Sequence, residues 1–238
     1  MSKSGLGKSS IGRKVIMALS GLFLIVFLLQ HLVINLLSVI NPEMFNEGSH
    51  FMGTNPLIQF VMQPILIGGI VIHYIMGIII TSQNKKARPV SYIVDNPSAN
   101  STWISRNMII TGVMILAFIV VHFIDFWIPE LNIKFVQQDW TGIEQGVNLI
   151  DGVQGYRYHA HLVHAMGTPL KAIIYTIAFI FLGLHLAHGF ASTFQSVGFR
   201  HGKYTPTLEK AGKAYSILVP ALFIFIAWYH ACGGTCAH

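Results

Sequence analysis

"FLLQHLVINLL", residues 27–37, is the stretch that decides the fold. Apart from Gln30, His31 and Asn35 it is wholly apolar. It lies inside an apolar run over residues 15–40, and roughly 20 such residues cross a bilayer as a helix. An ionisable side chain at that depth is costly unless it has partners, so His31 marks a functional position. A lone buried histidine is satisfied by a neighbouring carbonyl. What His31 does therefore depends on the rest of the chain.

Working outward, four more apolar runs follow at about 57–83, 107–128, 170–195 and 214–231. The chain of 238 residues is 53% hydrophobic and 10% charged, whereas soluble domains carry about 25% charged residues. The fold class is therefore all-α and integral to a membrane, a five-transmembrane-helix bundle. Residues 1–238 form one domain with no soluble part.

The net charge of +6 does not signal nucleic acid. Of the 15 Lys and Arg, Lys3, Lys8, Arg13 and Lys14 precede the first span, Lys85, Lys86, Arg88 and Arg106 join the second to the third, and Arg200, Lys203, Lys210 and Lys213 join the fourth to the fifth. These clusters share one side if the spans alternate, while the other connections hold Glu43, Glu47, Glu130, Asp139, Glu144 and Asp151. The positive-inside rule then puts the N-terminus in the cytoplasm and the C-terminus outside. The first run is too long for a signal peptide and lacks an A-x-A site, so it is expected to be retained. Trp103, Trp127, Trp228 and Tyr229 near span ends fit an aromatic belt. Cys232 and Cys236 fall on the outer side, where a disulfide is possible, and no C-x-x-C-H haem attachment pattern is present.

The chain has 12 histidines, and four spans carry one well inside: His31, His73, His122 and His185. With a rise of about 1.5 Å per residue, His31 lies ~26 Å past Lys14 and His122 ~24 Å past Arg106. His73 lies ~18 Å before Lys85, and His185 at most ~22 Å before Arg200. Two pairs at two depths are what two stacked bis-histidine haems require, each iron taking two imidazoles from facing helices. Gly77 and Gly189 follow His73 and His185 by one turn, and Gly21 and Gly112 precede His31 and His122 by ten residues. All four glycines fall near the His73/His185 layer, where a flat macrocycle needs bare helix. Small-residue packing between membrane helices explains each glycine taken singly. His188 points about 60° away from His185 and suits a propionate or a neighbour. His159, His161 and His164 in "YHAHLVH" lack the further ligand a metal site needs and read as an interfacial helix within a long outer connection, 129–169. Asp125, near the outer surface, is either solvated or a proton-handling group.

The motifs "QHLVIN" (30–35), "FNEGSHFM" (45–52), "HYIMG" (73–77), "VHFIDFW" (121–127) and "HLAHGFAS" (185–192) are similar to those of one family. They resemble the diheme cytochrome b membrane anchor of succinate:quinone oxidoreductase and quinol:fumarate reductase, in its single-subunit, five-helix form. The long 129–169 connection departs from that pattern.

The resemblance implies two haem b groups, the distal held by His31 and His122 and the proximal by His73 and His185. Its H-x-x-[NH]-G-x-x-S pattern selects His185 over His188. Ser20, Gly21, Gly77, Gly112, Gly189 and Ser192, with the basic Lys14, Arg106, Arg200 and Lys203, are the expected haem and propionate contacts. Asn35, His50, Phe51, Met52 and Trp127 are the expected lining of a quinone pocket near the distal haem, with menaquinone favoured.

The chain has no flavin motif and no iron–sulfur cysteine set. The implied partners are therefore a flavoprotein and an iron–sulfur subunit on the cytoplasmic face of a bacterial inner membrane. In that setting the chain is the electron-transferring, quinone-reacting subunit of an enzyme whose dicarboxylate site lies elsewhere. The alternatives are the haem b anchor of a hydrogenase or formate dehydrogenase, and a haem-free, histidine-bearing transporter.

Overall fold

The structure, a computed structural model, describes residues 9–86, 107–143, 155–199 and 201–233. The described residues are helical and contain no strand, only an isolated bridge between Ile143 and Tyr156. The helices in chain order are α1 (Ser10–Ile40), α2 (Pro42–Thr54), α3 (Ile58–Lys86), α4 (Met108–Val136), α5 (Tyr158–Met166), α6 (Pro169–Ser196) and α7 (Thr205–Ala231). Five of them, α1, α3, α4, α6 and α7, are long and apolar enough to cross a membrane. Lys3, Lys8, Arg88, Trp103, Arg106, Glu144, Asp151, Arg200 and Cys236 lie outside the described residues. Cys232 is disulfide-bonded.

Local chemistry sets the helix ends. The Ser9 hydroxyl accepts from the Gly12 N–H at 2.9 Å and opens α1. Asn41 accepts from the Met44 N–H at 3.1 Å, with Pro42 in the first turn where a missing N–H costs nothing. The side chain of Asn55 accepts from the Leu57 and Ile58 N–H groups and opens α3. The stretch 41–56, expected as a plain connection, thus carries the helix α2.

The third span departs further from expectation. It was expected to end at 128, before Pro129, but α4 runs on to Val136. It does so through two π-helical segments, Phe123–Trp127 and Asn132–Val136, with Pro129 in the first turn of the short α-helical piece between them. In the π register a carbonyl pairs with the N–H five residues on. His161 on α5 adds a further tie, its Nε2–H donating to the Asp125 carbonyl at 2.9 Å.

Burial is arranged for lipid. Val26, Ile40, Phe60 and Ile180 are exposed, while Ser38, Gln59, Thr111, Thr193 and Ser216 are buried. Without water in the hydrocarbon, polar groups must be satisfied inside the protein. The chain divides into two compact units. One comprises residues up to Leu28, Ile65–Met114 and Phe181–Leu218; the other comprises Leu29–Pro64, Ile115–Ile180 and the residues from Val219.

The second unit holds a network of charges beyond the apolar part of α4. Lys134, with 2% of its side chain exposed, pairs with Glu130 at 2.9 Å and donates to the Gly53 carbonyl at 2.7 Å. A Cβ at position 53 would come within 2.6 Å of that ammonium, so α2 needs glycine there. Arg157 donates to both Glu130 oxygens at 3.1 Å, and its backbone N–H reaches the Gly142 carbonyl at 2.9 Å.

Glu130 thus balances two cations, one of them fully enclosed. Its replacement by alanine is expected to cost about 3 kcal/mol, because an uncompensated buried charge is worse than no charge at all. The check is thermal unfolding in detergent. The midpoint should fall in Glu130→Ala and recover at least partly in Glu130→Ala/Lys134→Met.

Candidate functional site

Each unit encloses one pair of the span histidines. In the first, His73 on α3 and His185 on α6 face each other with ring centroids 6.2 Å apart and ring planes at 66°. Ser20 on α1 donates its single hydroxyl proton to the Met17 carbonyl at 3.0 Å and contacts His73 Nδ1 at 3.2 Å. Thr111 on α4 repeats the arrangement, its hydroxyl lying 2.9 Å from the Met108 carbonyl and 3.0 Å from His185 Nδ1. Both imidazoles are thereby braced at Nδ1, the side away from the nitrogen that would ligate a metal.

The glycines fit around this pair. A Cβ at Gly21 would stand 3.4 Å from His73 Cε1 and 3.2 Å from Thr193 Oγ1, and one at Gly112 would stand 3.7 Å from His185 Cε1. Gly77 and Gly189 face the ends of the flexible Met17 and Met108 side chains at 3.7 and 3.2 Å. All four therefore leave bare helix against this site or against methionines that can shift. Thr111, 1% exposed, is a residue that sequence reading passed over. Its signal was the hydroxyl at an apolar position one residue before Gly112.

In the second unit, His31 on α1 and His122 on α4 lie with ring centroids 5.8 Å apart and planes at 85°. Aromatic rings surround them: Phe118 and Phe126 lie 5.9 and 5.2 Å from His122, and Phe223 lies 5.8 Å from His31. Asn35 donates to the His31 carbonyl at 2.8 Å and lies 3.4 Å from both its ring nitrogens. The buried Nδ1 of His122 has no hydrogen-bond partner among the described residues.

Metal–imidazole bonds of about 2.0 Å put the rings of a bis-imidazole metal a little over ~6 Å apart between centroids. The His73/His185 pair, at 6.2 Å, stands at that spacing, and the His31/His122 pair, at 5.8 Å, falls just short of it. Among the described residues no three His, Cys, Asp or Glu gather as a metal site. Two ligands alone suit a metal whose remaining positions a macrocycle fills. The two imidazoles facing each other in each unit would suit such axial ligation.

The remaining candidates are dispersed. His50 stacks on Tyr156 at 4.0 Å, and Phe51 is 59% exposed. Met52 takes a contact from Gln30 at 3.6 Å, and Trp127 lies 5.0 Å from Phe123. Lys203 is placed over Tyr204 at 5.7 Å, while Arg106 and Arg200 lie outside the described residues.

His159, His161 and His164 do not form a cluster. The His159 Nε2–H donates to the Ser38 carbonyl at 3.1 Å, and His161 serves Asp125 as described. Ser38 also donates to the Asn35 carbonyl at 2.7 Å and accepts from His230 Nε2 at 2.9 Å. Asp125 itself takes hydrogen bonds from Lys171 and, at 2.9 Å, from Tyr175.

Outside the spans, burial and the charges of Lys134 and Arg157 hold the His50 imidazole below its ordinary value of 6.5. Burial and the Glu130 charge push the Tyr158 hydroxyl up. An unfolded chain protonates His50 near pH 6.5 while the folded one resists, so stability falls as pH drops from 6.5 toward the folded value. Replacing His50 with Gln is expected to flatten part of that decline, measured as the unfolding midpoint between pH 7 and about pH 5.

Comparison with known protein families, curated sequences and solved structures returned no match.

Proposed function

We propose that this chain is a two-haem membrane subunit that carries electrons between soluble redox partners and a quinone. One observation carries the reading. The hydroxyls of Ser20 and Thr111 brace His73 and His185 at matching ring nitrogens, at the ring separation a bis-imidazole metal needs. His31 and His122, 5.8 Å apart in an aromatic enclosure, supply the second ligand set.

Haem b in both places would supply one-electron carriers. The chain's own groups then have defined tasks. His73, His185, His31 and His122 hold the irons. Ser20 and Thr111 orient the first ligand pair, and the glycines Gly21 and Gly112 keep bare helix beside it. The aromatic rings around His122 exclude water.

The motif resemblance supports reading the chain as the anchor of a succinate:quinone oxidoreductase or quinol:fumarate reductase. It would work with a flavoprotein and an iron–sulfur subunit at the basic cytoplasmic face of a bacterial inner membrane. Asn35, beside His31, is the quinone candidate nearest a ligand. Menaquinone is favoured by the resemblance alone.

A reduced-minus-oxidised spectrum with haem extraction tests the reading. Two haem b per chain are expected, together with co-purification of a flavoprotein and an iron–sulfur protein. A haem-free preparation overturns the proposal in favour of a transporter. His73→Ala and His185→Ala should each lose one haem, His31→Leu and His122→Leu the other, and His188→Ala neither. Two haems retained in any of the first four variants would remove that residue from the ligand set.

A further inference from the structure

Asp125 occupies a setting that ligand holding does not explain. It lies in a membrane-spanning helix, and its side chain is only 10% exposed. Its two oxygens serve different neighbours on α6. Oδ1 takes a hydrogen bond from Lys171, whose side chain is 33% exposed, and Oδ2 takes one from the buried hydroxyl of Tyr175 at 2.9 Å. The Tyr175 ring lies 6.5 Å from the His122 ring and 4.9 Å from that of Phe118. Lys171, Asp125 and the Tyr175 hydroxyl thus form one hydrogen-bonded row that starts at a partly exposed ammonium, and the ring of Tyr175 packs beside the second histidine pair.

Stability alone accounts poorly for this line. A buried ion pair stabilises little more than an apolar contact of the same shape. Ionisable groups within spans are instead associated with proton and ion movement. The Glu130–Lys134–Arg157 network already ties α4 to its surroundings, so a second tie is not needed for that purpose.

We propose that Asp125 exchanges the protons of the quinone reaction with the aqueous phase at the Lys171 end, using the Tyr175 hydroxyl as its link to the reacting molecule. This inference rests on the quinone function proposed above. Reducing a quinone to a quinol takes two electrons and two protons and forms two O–H bonds; the reverse reaction breaks both.

In the oxidising direction a quinol O–H passes its proton to the Tyr175 oxygen as Tyr175 passes its own to Asp125 Oδ2. The neutral acid then loses that proton to water beside Lys171, and the restored carboxylate is again paired with the ammonium. Repetition moves the second proton, and the two electrons would pass to the one-electron carriers that the four span histidines would hold. Reversing every step protonates a quinone. The titratable groups facing Asp125 are Lys171 and Tyr175 on α6, His161 on α5 at its carbonyl, and His122 one turn back on α4. Of these only Lys171 and Tyr175 reach the carboxylate.

The experiment uses the whole complex in membranes, with the variants Asp125→Asn, Asp125→Glu, Tyr175→Phe and Lys171→Met. Haem content, dicarboxylate activity with an artificial dye, and quinone turnover across pH are each measured. Asp125→Asn is expected to keep both haems and the dye-linked activity while quinone turnover falls roughly 100-fold, the scale of a lost acid–base group. Asp125→Glu should recover part of the rate with a displaced pH profile, and Tyr175→Phe should slow turnover with haem intact.

Wild-type quinone turnover and an unshifted profile in Asp125→Asn overturn the proposal. If Asp125→Asn loses a haem, Tyr175→Phe and Lys171→Met decide: wild-type turnover in both overturns it, and slowed turnover with both haems present supports it. Absence of haem from the wild-type complex instead sinks the parent function, an outcome read from the spectrum before any variant is made.

Discussion

Hydrocarbon offers no hydrogen bonds, so each polar group on these spans must find its partner on the protein. Three helix hydroxyls meet that demand in the same way. Ser20, Thr111 and Ser38 each donate to the carbonyl three residues back on their own helix. Each also meets an imidazole from another helix: His73, His185 and His230. In water such a hydroxyl rotates freely and directs nothing. Here its own backbone holds it in place, and the imidazole is braced against it.

The two candidate ligand pairs are built from different materials. His73 and His185 are each braced by a hydroxyl and backed by a glycine. His31 and His122 stand among phenyl rings, with Asn35 as the polar group beside His31. Hydrogen bonding to the outer nitrogen of a ligand imidazole tunes the metal it holds. The two pairs therefore place the same type of side chain in different surroundings.

The sequence made the spans and the histidines readable because both are strong signals: long apolar runs, and ionisable residues where none are expected. The pairing of His31 with His122 and of His73 with His185 followed from depth, since helical rise is constant. Other features were hidden for physical reasons. Pro129 lies beyond the apolar run, and the His161 hydrogen bond to the Asp125 carbonyl comes from a separate helix and leaves no local trace. The helix α2 carries Gly48 and Gly53 and several polar residues, so its composition resembles a loop; its start is fixed by Asn41 and Pro42. Thr111 looks like one more small residue of a membrane helix, and only the neighbouring helix reveals that its oxygen is committed. Asp125 was visible, but its partners Lys171 and Tyr175 are 46 and 50 residues away.

The π-helical turn Phe123–Trp127, placed directly after His122, has a consequence for how this chain tolerates change in length. A π turn contains one residue more than the α turn it replaces, and each residue advances an α-helix by about 100°. The wider turn therefore absorbs the extra residue and keeps everything beyond it in phase with His122. Deleting one residue here would let the helix relax to α geometry while the distal end kept its angle, so that Glu130 and Lys134 could still meet Arg157 and the Gly53 carbonyl. The same deletion in the α-helical part before His122 would turn that end by about 100° and break those contacts. The π turn is the place in α4 where the chain can lose a residue at least cost to what lies downstream.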